Sequence, residues 1–403
     1  MRKIFEIFFV LLVIEGFLRK LVGNIYPTLM KDVILIIYAL LSIKFYKISA
    51  LRFNALKIYM LVILCVLLTS LLSFWFWEDQ NYQIYLLGFR EYIFYTPLIF
   101  LSYEYITEHK NPNIFLQYIA ITSSLLGLLG ALQYFNIINS TYLLPIPEHL
   151  VSRSSDYGEI QYISSIFDVP ERYAVFSLLA LIISVNFLID SFNNKIYIIT
   201  SALSLFSLLI SARRVSFILG LISIFILALL KTSNFIKIII YCLFFSFLLG
   251  ILLIISDDKV SSIIINHTIA DSVYYYGEWT YGEFERVLGS YEILSGKFGI
   301  TSPGAVTSMN IPLDINIEAF WVRAFYSLGA LPSILLFSSL FIIVMDMFIK
   351  FYKNKENNLS LISGVFIFEL LVWNWKSGNF LVWTPLTLIF VGIGFGGFYR
   401  IKV

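Results

Sequence analysis

Charge is scarce in this sequence. Only 13% of its 403 residues are Asp, Glu, Lys or Arg, where an ordinary soluble chain carries about 25%. That shortfall excludes a solvated globular surface. Cysteine is scarce too, with two residues, Cys65 and Cys242. Both fall inside apolar runs and read as small buried hydrophobes, so neither a disulfide framework nor a redox pair is indicated. The three histidines, His109, His149 and His267, are scattered without metal-ligand spacing, and no metal site is expected. There is no Walker motif and no nucleic-acid motif, so no ATP-driven step, no cofactor and no nucleic-acid partner is expected. The short alternating segments of a membrane β-barrel are also missing.

Hydrophobic residues are plentiful, at 59% of the chain. They gather into stretches of about 18–25 residues, each able to cross a hydrocarbon core as a helix. The pattern predicts an all-α polytopic membrane protein, one integral-membrane domain over residues 1–403. About twelve spans are expected, at 4–19, 28–46, 55–77, 83–103, 113–135, 171–189, 195–211, 214–230, 236–255, 318–349, 359–375 and 380–398. The basic start and first apolar run lack a small-residue cleavage site, so they read as an uncleaved first span. The tenth span is long enough to tilt or to begin as an external helix. Two long segments are not apolar, 136–170 and 256–317.

Orientation follows from Lys and Arg in the short loops. With both termini inside, the inner side receives Arg2, Lys3, Lys44, Lys47, Arg52, Lys57, Lys110, Lys195, Lys231, Lys237, Lys350, Lys353, Lys355, Arg400 and Lys402. Both long segments then fall outside. Arg19, Lys20, Lys31 and the pair Arg213–Arg214 stand against the rule. The two cations also separate: 12 of 17 lysines lie inside, but only 3 of 11 arginines. The other eight, Arg19, Arg90, Arg153, Arg172, Arg213, Arg214, Arg286 and Arg323, lie on the outer side or in the outer half of a span. A guanidinium holds phosphate through a planar fork and keeps its charge. An outward arginine set therefore points to an anionic ligand such as a lipid phosphate or diphosphate. The alternative is structural pairing with Glu91, Glu171, Glu285 and Glu318.

Several stretches carry these arginines. "GFREY" (Gly88 to Tyr92) places Arg90 and Glu91 inside the fourth span, a costly depth for charge. Neighbours point about 100° apart on a helix, so each needs a partner from another helix. Pro97 should bend this span. "FDVPERY" (Phe167 to Tyr173) opens the sixth span, with Pro170 in the first turn and Asp168 as the expected cap. The segment 256–317 contains Phe284, Val287, Leu288, Tyr291 and Leu294 at helical spacing. They predict an amphipathic helix lying on the bundle, with Arg286 on its polar side. Glu318 begins the return to the membrane and is the best-placed candidate for a general base. "GIGFGG" (Gly392 to Gly397) lies within the last span and reads as close helix packing, not nucleotide binding.

The order of these features resembles the bacterial O-antigen and exopolysaccharide polymerases and the related O-antigen ligases. The matching pieces are "EGFLRK" (Glu15 to Lys20), "GFREY", "IFDVPERYAVF" (Ile166 to Phe176), "SARR" (Ser211 to Arg214), "ERVLGSYEIL" with "FGI" (Glu285 to Ile300), and "EAFWVRAFYSLGALPSILLF" (Glu318 to Phe337). Each is short; their joint order along the whole chain is the specific part. The resemblance implies an inverting, metal-independent glycosyltransferase with a type C-like helical fold in the bacterial inner membrane. Donor and acceptor would be glycans on undecaprenyl diphosphate, used on the periplasmic face, and a chain-length regulator is a further partner it allows. Arg213 or Arg214 would hold the lipid diphosphate, with Arg90, Arg172, Arg286 and Arg323 assisting and Glu318 as base. The ligases carry a His just before the span that follows the large loop. "DINIEAF" (Asp314 to Phe320) has none, which favours a polymerase. Thr301 also departs from the glycine loop common in the family. A flippase or exporter of lipid-linked glycan would want outward arginines too, but the internal repeat usual in transporters is not visible.

Overall fold

The computed structural model describes residues 2–22, 26–42, 52–76, 82–109, 111–138, 152–155, 158–161, 163–167, 169–191, 194–211, 214–232, 320–373 and 380–402, with 281, 282 and 285. It is a helical membrane protein. Four helices among these residues are long and apolar enough to cross a bilayer: Asn54–Trp75, Pro112–Tyr134, Pro170–Asp190 and Ala330–Lys353. Contacts divide the chain into two units, 1–41 with 108–268 and 42–107 with 269–403.

The first unit holds α1 (Arg2–Val22), α2 (Tyr26–Ser42), then later α6 (Pro112–Tyr134), α7 (Pro170–Asp190), α8 (Lys195–Ile210) and α9 (Arg214–Lys231). At its centre is α7, which is apolar all round and buried over 89% of its most apolar stretch, as such a helix must be. Pro170 stands in its first turn as expected, where a missing N–H costs nothing. The cap, however, is Val169 in extended conformation with no side-chain bond to the helix; the expected cap, Asp168, lies outside the described residues. Among the described residues, α7 packs most extensively on α6, α8 and α9.

Small residues allow these helices to approach. A methyl at Gly127 of α6 would stand 2.3 Å from Ser207 Oγ on α8, and one at Gly130 would stand 2.3 Å from the Tyr173 hydroxyl on α7. One short stretch of α6 thus touches the end of α8 and the start of α7. Those two helix ends, and Arg214 at the start of α9, therefore share one end of the unit. At the opposite end Lys231 donates to Asp190 (2.6 Å) and to the Asn186 carbonyl (2.9 Å), tying α9 to α7. Lys231, placed by the sequence in a short inner loop, ends α9 instead, with its side chain only 5% exposed. The segment 136–170, expected as a loop, contains an antiparallel hairpin, β1 (Ser152–Ser155) with β2 (Gly158–Gln161), pairing Arg153 with Ile160.

The second unit holds α3 (Asn54–Phe76), α4 (Tyr82–Phe89), a π-helical turn (Arg90–Phe94), α5 (Pro97–Glu108), α10 (Phe320–Leu328), α11 (Ala330–Lys353), α12 (Asn358–Trp373) and α13 (Phe380–Lys402). Two expected spans are interrupted. The fourth breaks at the π turn, because Pro97 has no N–H to bond back and its ring would strike the preceding turn. The chain answers with tighter bonds, Thr96 N–H to Ile93 O (3.0 Å) and Leu98 N–H to Tyr95 O (2.9 Å). The tenth breaks at Gly329, whose φ of 83° is a left-handed value that only glycine adopts freely.

The glycines of "GIGFGG" do pack helices. A methyl at Gly392 would lie 2.2 Å from the Ile99 carbonyl of α5, and one at Gly397 would lie 2.6 Å from Leu359 Cβ of α12. Toward the far end of α11, Lys350 sits 4.1 Å from the centroids of both Phe53 and Phe395 and 2.5 Å from Asp346. The ninth expected span, the amphipathic helix and most of 256–317 lie outside the described residues.

Candidate functional site

Each unit buries a charge cluster among its helices. In the first unit the cluster starts at Glu15, about two turns before the end of α1 and 1% exposed. Its Oε2 accepts a hydrogen bond from Lys31 of α2, which is 2% exposed, and lies 3.4 Å from Arg172 Nη1 on α7. Three helices therefore meet at one carboxylate oxygen. Removing such groups from water is expensive, and mutual pairing offsets the cost. Arg172 enters here because Pro170 starts α7 two residues earlier, at the end of the helix whose exposed N–H groups favour negative charge.

Beside this cluster the chain leading into α7 is buried rather than loose. Ile163, Ser164, Ser165 and Phe167 have no exposed surface. Lys20 donates to Ser164 Oγ and to the Ser165 carbonyl, both at 3.2 Å. Ser165 has φ 51°, an unusual value for a side-chain-bearing residue. It is held by Gln133 Oε1 on its N–H (3.2 Å) and by the Leu126 carbonyl on its hydroxyl (2.9 Å). Phe167 stacks on Phe176 at 5.0 Å. Strain over-determined in this way tends to sit near functional sites. Two of the charges that broke the inside–outside rule, Lys20 and Lys31, thus have protein partners and need no headgroups.

In the second unit Arg323 Nη2 of α10 donates to Glu91 Oε1 of the π turn at 2.7 Å, and both side chains are completely buried. Arg323 also lies 5.7 Å from the Phe320 ring, on which Tyr92 stacks at 6.1 Å. Trp321 Nε1 anchors α10 to the Leu371 carbonyl of α12 at 3.2 Å. The partner that Glu91 needed from another helix is therefore Arg323. Arg90, the next residue back, is directed elsewhere, 5.9 Å from the Tyr95 ring. Single π turns inside helices are often found at functional sites, because the widened turn re-aims side chains.

The expected site residues divide accordingly. Arg172 lies in the first unit, at the same end as the backbone of Arg214, the first residue of α9. Arg90 and Arg323 lie in the second. Arg213, Arg286 and Glu318 lie outside the described residues. The seventh and eighth expected spans are separate helices, since α8 stops at Ile210 and α9 starts at Arg214.

Sequence reasoning missed Glu15 and Lys31 as a pair with Arg172, and Glu369, a fully buried carboxylate within α12. An ionisable residue inside an apolar run is itself a signal, and Glu15 and Glu369 both carry it. Among the described residues no group of three or more His, Cys, Asp or Glu is placed to hold a metal ion. Compared with known proteins, the chain matches no protein-family model and no curated protein.

Proposed function

We propose that this protein is a membrane-embedded glycosyltransferase that polymerises oligosaccharide repeats carried on undecaprenyl diphosphate, at the periplasmic face of a bacterial inner membrane. In this reading the chain spans the membrane about twelve times in a type C-like arrangement, with both termini cytoplasmic. The observation that carries it is the separation of arginine from lysine, with eight of eleven arginines assigned to one side. The placement of Arg172 and the start of α9 at one end of the first unit agrees with that assignment.

The chemistry asks little of the protein. The lipid diphosphate is a good leaving group, and fixed guanidinium groups stabilise the charge it gains. The hydroxyl of a second lipid-linked repeat attacks the anomeric carbon and inverts it, while Glu318 takes the proton. Arg213 and Arg214 are the residues assigned to the diphosphate, and Arg172, Arg90 and Arg286 are assigned to binding the lipid-linked glycan. Arg323, closed against Glu91, contributes by holding α10 to the π turn.

The test is reconstitution of the purified protein with lipid-linked repeats. Arg213→Ala and Arg214→Ala, made separately at normal expression, should shorten or abolish polymer. Full-length polymer from both variants would overturn the reading. A second reading gains from one observation: the interrupted helices at Arg90–Pro97 and Gly329 are features of transporters. Translocation of the lipid-linked repeat across vesicles without any chain growth would favour that flippase reading.

A further inference from the structure

A small cavity lies inside the second unit, enclosed by α3, the π turn, α11 and α13. The hydroxyl-bearing residues Tyr59, Tyr92, Thr384 and Thr387 line it, and leucines of α11 and α13 complete the wall. Every lining residue is only 2–3% exposed, so the cavity belongs to the interior and not to the lipid-facing surface. Its volume is about 10 Å³ counted as room for the centre of a water molecule, the lower limit of roughly 10–15 Å³ for holding one.

Size alone does not make a site wet. Apolar cavities stay dry, and a buried water needs two to four polar partners. Here four side chains can supply them. One lacks a partner among the described residues: Thr387 is 3% exposed, and its Oγ1 is buried with no hydrogen bond from them. Buried hydroxyls are nearly always satisfied, by protein or by ordered water. The cavity also borders the charge pair. Tyr92 follows Glu91 in the π turn and stacks on Phe320, the ring beside which Arg323 lies.

We propose that this cavity is a water site, in which one ordered water bridges the hydroxyls of Thr387, Tyr59 and Tyr92 and carries the polar network of the Glu91–Arg323 pair across to α3 and α13. The water makes the surroundings of the pair more polar than the apolar helices alone, which favours its ionised form. The proposal is independent of the glycosyl-transfer reading and is tested without any activity.

Synchrotron radiolytic labelling of the full chain in detergent reads bound water directly, because hydroxyl radicals formed from an internal water mark the side chains touching it. Tyr59 and Tyr92 should be labelled several-fold more than Tyr95 and Tyr326, which are also buried in the same unit and do not line the cavity. Thr387→Val, nearly equal in shape, should lower labelling of Tyr59 and Tyr92 toward the level of Tyr95, and Thr387→Ser should restore it. Native Tyr59 and Tyr92 as protected as Tyr95 and Tyr326 would overturn the proposal, and so would unchanged labelling in the Val variant. The comparison within the native protein stands even if the Val variant fails to fold.

Discussion

In the second unit Glu91 faces a single cation, Arg323, among the described residues, both with no exposed side-chain surface. In the first unit Glu15 offers a single oxygen to two cations, Lys31 in close contact and Arg172 at 3.4 Å. The first arrangement is a closed pair, in which each ion is the main compensation for the other. The second is shared, so that either cation can be removed while the carboxylate keeps a positive neighbour. A closed buried pair suits a fixed joint between elements. A shared carboxylate beside a helix N-terminus suits a place where an anion arrives, because Arg172 can turn from Glu15 without stranding it.

The largest effect should come from opening the closed pair. Arg323→Met leaves Glu91 buried alone, and removal of one partner of a buried pair costs roughly 3–5 kcal/mol. Thermal unfolding in detergent should show a large drop in midpoint, and the double variant Glu91→Leu/Arg323→Met should recover much of it. A double variant no better than the single one would mean that the two groups act separately. Next comes Lys31→Met. It should cost about 1.5–3 kcal/mol, the range for a hydrogen bond between charged groups, and less than Arg323→Met because Arg172 remains beside Glu15. An equal or greater loss than for Arg323→Met would erase the distinction between closed and shared clusters.

Arg172→Lys should then cost less stability than Lys31→Met, since a cation still faces the buried Glu15 and no charge is left uncompensated. Polymer length on lipid-linked repeats should nevertheless fall, because an ammonium cannot reproduce the bidentate fork. Normal polymer from this variant would remove Arg172 from the anion site. The smallest effect is expected at Ser165→Gly. Relief of the positive φ should offset the lost hydroxyl bond to Leu126, leaving stability within about 1 kcal/mol. Ser165→Val should instead be clearly destabilised, since a β-branched side chain tolerates this conformation badly.

Much of the scaffold was legible without coordinates. The apolar runs located α7, α8 and α9 to within a residue or two, and the break at Arg213–Arg214 fell where the described helices stop and start. The close packing of Gly392 and Gly397 was also legible, because glycines crowded into a membrane span have few other uses. The interruptions were legible only in part. Pro97 announced a bend but not a π turn at Arg90, and Gly329 did not stand out from other glycines. Of the candidate site, the residue types were readable and the partnerships were not. Glu91 was only one of four carboxylates that could have paired with the arginines, and nothing local singles it out for Arg323, 232 residues away in sequence.

By itself, the sequence determined that the chain is a helical membrane protein and roughly where its helices run, because hydrophobicity and helical period are local properties recorded in consecutive residues. It also determined that buried charges such as Glu91 must find partners, since solvation cost depends on the residue and its depth. Only the tertiary structure decided which partners they found. Glu15 with Lys31 and Arg172, Arg323 with Glu91, and the hydroxyls gathered around one small cavity are all choices between distant segments. Those choices depend on which helices pack together, and no local pattern encodes that.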